Sequence, residues 1–90
     1  MARIDINIDE LHHFGRTLHG FRERIRSERL ALNGRIEHAK SFWRDDERSI
    51  FAARYSEIEL EIQLFERDCE RYLDYLARKE RALRAARGLH

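Results

Sequence analysis

The sequence predicts an all-α protein, an antiparallel hairpin of two long helices expected to dimerise into a four-helix bundle. Proline is absent from the 90 residues, glycine occurs four times and 39% of the side chains are charged, the composition of long exposed helices rather than sheets. Two stripes of apolar residues recur in steps of three and four on either side of a short polar stretch, the spacing of one helical face repeated twice.

Helix 1, about residues 8–40, carries the first stripe: Leu11, Phe14, Leu18, Phe21, Ile25, Leu32 and Ile36, with Glu28 as its polar interruption. The stripe runs on through Ala39 to Trp43, where an extra step of four makes a stutter that relaxes supercoiling. Asn7 and Glu10 have the spacing of a capping box, and Asp9 with Glu10 places negative charge on the first turn. Gly15, Gly20 and Gly34 lie inside this helix, each costing about 1 kcal/mol relative to alanine. They imply stabilisation by a neighbouring helix, or else a break near Gly20.

Helix 2, about residues 47–86, is more regular: Phe51, Tyr55, Ile58, Ile62, Phe65, Cys69, Tyr72, Leu76, Lys79 and Leu83 form an unbroken heptad seam. Ile50, Leu60, Leu64 and Tyr75 fall outside that seam and widen the apolar surface beyond what one neighbouring helix can cover. The turn, residues 41–46, offers Asp45 as N-cap, with Asp46 and Glu47 completing an acidic first turn. So short a connection makes the helices antiparallel neighbours, each roughly 50 Å long at about 1.5 Å per residue.

One domain, residues 1–90, accommodates all of this, and a chain this small buries only a modest share of its surface alone. Phe51, Tyr55, Ile58, Ile62, Phe65 and Cys69 are expected to line the interhelical seam with Leu18, Ile25, Leu32 and Ile36. Trp43 is expected to close the seam at the tip, where replacement by alanine would cost on the order of 3 kcal/mol if the indole is buried. Cys69, on the helix 2 stripe, is read as a small buried hydrophobe; a lone cysteine makes neither an internal disulfide nor a multi-cysteine zinc site.

Net charge is only +1 but unevenly spread: +2 over residues 1–43, −5 over 44–70 and +4 over 71–90. The basic end, Arg78, Lys79, Arg81, Arg84 and Arg87, complements the negative end of a helix dipole and has no aromatic residue for base stacking, so nucleic-acid binding is not expected. No apolar run reaches the roughly 20 residues of a membrane span. Met1 to Asp5 show no signal-peptide stretch, which implies cytoplasmic synthesis and is compatible with export by a route that needs no cleaved peptide.

Catalytic and ligand chemistry find little support. His12, His13, His19 and His38 are not at the i, i+3 or i, i+4 spacing of metal-binding helices in any useful combination, and solvent-exposed histidines are expected. Glu57, Glu59 and Glu61 alternate around the helix, Ser27, Ser41, Ser49 and Ser56 are not read as part of a serine–histidine–acid constellation, and there is no glycine-rich phosphate loop. A slender hairpin has no deep pocket, so neither catalysis, a cofactor, a metal nor a small-molecule substrate is expected.

The Trp43-x-Asp45 turn, followed by Phe51-x-x-x-Tyr55 and set between two helices of about equal length, resembles the WXG family of small type VII (Esx-type) secretion proteins. The resemblance covers Ile8 to about Leu83; Trp43 stands at the family's tryptophan, and Asp45 at the place of its glycine. It implies a non-enzymatic protein that pairs, as a homodimer or with a second WXG-like protein or the N-terminal helical domain of a toxin, into an antiparallel four-helix bundle. Members are secreted folded or carry a larger toxin to the secretion machine. The family's export signal, a tyrosine followed four residues later by an acid just past helix 2, has no match: Tyr72 is followed by Leu76, Tyr75 by Lys79, and Tyr55 with Glu59 lies near the start of helix 2. The resemblance therefore implies a partner that carries the signal, or a member not itself exported. A helical chaperone of a needle-type secretion system would use the same seam, and a DNA-binding helical protein would use residues 78–87.

Overall fold

The computed structural model describes residues 5–88, so the Met1–Ile4 part of the segment read for a signal peptide lies outside the described residues. Helix α1 spans Ile8–Ala39 and helix α2 Asp46–Ala86, and together they form an antiparallel hairpin about 63 Å long and 27 by 15 Å across. Both predicted N-caps form. Asn7 accepts from the Glu10 amide at 3.1 Å and Asp45 from the Arg48 amide at 3.0 Å, each in extended backbone, so each side chain satisfies an orphan donor of the first turn.

Helix α1 is continuous through Gly20 and Gly34. Only Gly15 meets the other helix: a Cβ there would lie 4.0 Å from Leu76 Cδ1, an ordinary contact. The α1 end tightens into successive bonds from the amides of Lys40, Ser41, Phe42 and Trp43 back to Glu37, His38 and Ala39. Helix α2 stops at Gly88, whose φ of 70° supplies the left-handed conformation that closes helices without a Cβ penalty. Helix α2 outruns α1, and Arg87 reaches back to donate to the Ile6 carbonyl at 2.9 Å.

The seam differs from the expected one by a rotation of both helices. On α2 the seam runs through Ala52, Tyr55, Glu59, Ile62, Glu66, Cys69, Leu73, Leu76, Glu80 and Leu83 in steps of three and four, with Arg48, Gln63, Lys79 and Arg84 also partly covered. Tyr55, Ile62, Cys69, Leu76 and Leu83 belong to the predicted stripe; Phe51, Ile58, Phe65 and Tyr72 do not enter the seam. On α1 the seam is Ile8, Leu11, Gly15, Leu18, Arg22, Ile25, Arg29, Asn33 and Ile36, so Phe14, Phe21 and Leu32 are displaced in the same sense. The seven displaced residues Phe14, Phe21, Leu32, Phe51, Ile58, Phe65 and Tyr72 are 41–52% exposed.

Charge chemistry explains the rotation. Arg22 and Arg29, one heptad apart on α1, meet acidic residues of α2: Arg22 pairs with Glu70, and Arg29 with Glu66 and Glu59. Turning the helices to bury the aromatic residues against each other would break these bonds. The apolar part of the seam is short, and Leu76 and Cys69 are its most buried members with Ile8. Leu76→Ala should cost about 2–4 kcal/mol, measured as the shift in urea midpoint at constant slope.

Trp43 is 40% exposed rather than buried at the tip, and Phe42 beside it is more exposed still. The tip cannot enclose an indole because the turn is tightened against α1, and Trp43 instead reaches across the turn to Asp45. The expected cost of Trp43→Ala falls accordingly to about 1–2 kcal/mol by partial burial, read in the same denaturation experiment.

Candidate interaction surface

The rotation divides the hairpin into two unlike faces. One is a charged clasp. Arg29 sends Nε to Glu66 Oε2 at 2.6 Å and Nη2 to Glu66 Oε1 at 3.1 Å, a bidentate fork, and its Nη1 reaches Glu59 at 3.3 Å. Asn33 also donates to Glu59, and the Tyr55 hydroxyl lies 3.4 Å from the Arg29 carbonyl. Glu66 is only 6% exposed. The Arg29 fork holds its carboxyl below the usual carboxylate range against the opposing effect of burial, and the same bonds raise Arg29 above the ordinary arginine value.

The other face is aromatic. Phe14 meets Tyr72 edge-on at 6.5 Å between ring centroids, and Phe21 meets Phe65 the same way at 6.4 Å, the geometry preferred by ring quadrupoles. Leu18 and Cys69 floor the groove beside the first pair; Ile25, Leu32, Tyr55 and Ile62 floor the groove beside Phe21. Phe51 and Ile58 extend the same row on α2 toward the tip, one heptad apart from each other and from Phe65. Burial raises the Cys69 thiol above its ordinary value, so it behaves as the predicted hydrophobe and not as a reactive thiolate. Burial likewise raises the Tyr55 phenol.

At the turn, Asp45 joins the cap to the tryptophan. Its carboxyl is held below the ordinary range first by the Trp43 side-chain N–H and then by the Arg48 amide. Asp45 therefore has a local role, capping α2 through the Arg48 amide beside the Trp43 indole.

The remaining sequence candidates are scattered. The four helix α1 histidines are exposed, and His12 Nδ1 lies 2.8 Å from Glu80 across the helices. Among the described residues no group of three or more histidine, cysteine or acidic side chains could hold a metal, and no helix is long and apolar enough to cross a membrane. In the basic end, Arg84 approaches Glu80 of the same helix at 3.7 Å, and Arg87 helps close the hairpin by donating to the Ile6 carbonyl.

The clasp is what sequence reading missed. Its signal was present as arginines seven apart on one helix, Arg22 and Arg29, and glutamates seven apart on the other, Glu59 and Glu66. No protein-family model, curated protein or solved structure matches this chain.

Proposed function

We propose that this chain is a non-enzymatic, WXG-like pairing module that joins a second helical hairpin through its aromatic face to make a four-helix bundle. It acts as a secreted dimer or as the adaptor for a larger secreted toxin of a type VII system. The observation that carries this reading is the off-centre seam. On both helices the neighbour within the chain occupies one edge of the apolar arc, leaving its middle, Phe14 and Phe21 with Phe65 and Tyr72, half exposed. In a four-helix bundle each helix touches two neighbours, and its apolar arc points between them. This is the arrangement for which both arcs are already turned. The Trp43 turn and the hairpin length add the specific resemblance to secretion proteins.

Export is the test of the secretion part. Epitope-tagged chain should appear in the culture medium of its native cell together with a helical partner, and should vanish from the medium when the secretion ATPase is disrupted. Unchanged distribution after that disruption would defeat the secretion role.

A further inference from the structure

We propose that the charged face of the hairpin binds a single phosphate monoester dianion, gripped between Arg26 of α1 and Arg67 of α2. The aromatic face takes no part in this, so the site stands apart from the pairing reading above.

Four arginines border one groove on the charged face: Arg22, Arg26 and Arg29 from α1 and Arg67 from α2. Two glutamates, Glu66 and Glu70, stand among them, and both are engaged, Glu66 by the Arg29 fork and Glu70 by Arg22. Four guanidinium groups against two carboxylates leave the groove at +2. Arg26 and Arg67 hold that surplus. Both are exposed, and among the described residues neither makes an ion pair or a hydrogen bond. Arg22 Nε is in addition a buried donor without an acceptor, so donors outnumber acceptors here.

The antiparallel register brings the two free arginines to one level. Arg22 with Glu70 and Asn33 with Glu59 are cross-helix pairs, each step along α1 being matched by a step back along α2. In that register Arg26 stands level with Glu66 and one residue from Arg67. Glu23 and Glu70 show how the chain treats like charges that meet across the helices: Arg22 donates to both and bridges them. No side chain does the same for Arg26 and Arg67, and an anion from outside would complete the bridge.

Guanidinium forks match phosphate oxygens bidentately. A phosphate monoester carries about −1.5 to −2 charge at neutral pH, enough for both arginines, whereas a carboxylate or phosphodiester brings one charge. The groove holds about 230 Å³, below the roughly 300–1000 Å³ of sites that enclose a whole small ligand, so it takes one group and leaves the rest of the molecule outside. An extended polyanion fits badly. Toward the open end of the hairpin its next charges would meet Glu23 and Glu70, and toward the tip they would lie over the exposed Leu30 and Leu60. Those leucines suit an apolar group beside the phosphate.

Titration of the native chain with methyl phosphate at constant ionic strength, followed through the NMR signals of the arginine Nε–H groups, tests the site. Arg26 and Arg67 should move together along one saturating curve, and the singly charged dimethyl phosphate should bind about tenfold more weakly. Arg26→Gln and Arg67→Gln, shown to be helical by circular dichroism, should each weaken methyl phosphate about tenfold, the scale of one lost charge-assisted bond. Arg35→Gln removes the same charge from beside the aromatic groove and should change binding by less than about twofold. A phosphoserine peptide with an adjacent leucine that binds more tightly than methyl phosphate, through the same two arginines, would support the site and assign the group to a protein; equal affinity would support it and assign a small molecule. Equal binding of the monoester and the diester, equal losses from Arg26→Gln and Arg35→Gln, or unmoved Arg26 and Arg67 signals would overturn the proposal.

Discussion

Glu66→Ala should destabilise the hairpin by about 3 kcal/mol or more, the scale of removing one partner from a buried ion pair. The carboxylate is nearly inaccessible and takes two bonds from one guanidinium. Its removal leaves Arg29 desolvated in the seam with only the 3.3 Å contact to Glu59. The loss should appear as a lowered urea midpoint. Replacing the pair together, Arg29→Met with Glu66→Leu, should restore much of the stability, since apolar residues of similar volume remove the uncompensated charge. A double variant as unstable as Glu66→Ala would assign the effect to packing instead. The same pair sets an acid limit. Because Glu66 is held below its unfolded value in the folded chain, its contribution is fully present above about pH 4.5 and is lost as pH falls through the folded value. The native chain should therefore lose stability below about pH 4.5 along a slope that the Glu66→Ala variant shows less of.

Phe65→Glu should have the opposite signature, leaving the helices intact and abolishing association. Phe65 is half exposed in the hairpin, where it contributes one edge-on contact to Phe21 worth about 1 kcal/mol. At the middle of a dimer interface it would be a desolvated aromatic anchor, and a glutamate there would bury an unpaired charge. The dimer dissociation constant should rise at least about 100-fold, equivalent to roughly 3 kcal/mol. Helix content by circular dichroism should stay near native. Phe21→Glu should behave alike, whereas Leu76→Ala should weaken folding first, because Leu76 lies in the intrachain seam. Loss of helicity by Phe65→Glu to the extent seen in Leu76→Ala would show that the aromatic row supports the hairpin itself.

Local signals carried the helices well. The boundaries read from capping and periodicity, about 8–40 and 47–86, stand beside Ile8–Ala39 and Asp46–Ala86, because Asn7 and Asp45 act through bonds set by their immediate neighbours. The direction in which each helix faces was less legible. Apolar periodicity reports the middle of everything a helix buries against all its neighbours, not the side turned to the neighbour in the same chain. Phe65 and Glu66 illustrate the difference: the phenylalanine marks the middle of the arc, yet the glutamate enters the seam because Arg29 is there to receive it. Trp43 shows a second limit, since a stripe can run past the end of a helix to a residue that the turn holds half exposed.

The mass of the native chain in solution tests most directly whether the aromatic face is covered by association. Light scattering across a dilution series should give twice the 10.9 kDa chain mass at high concentration, falling toward the single-chain mass on dilution together with increased binding of an apolar dye. A helical species that holds the single-chain mass at every concentration and binds no apolar dye would contradict it.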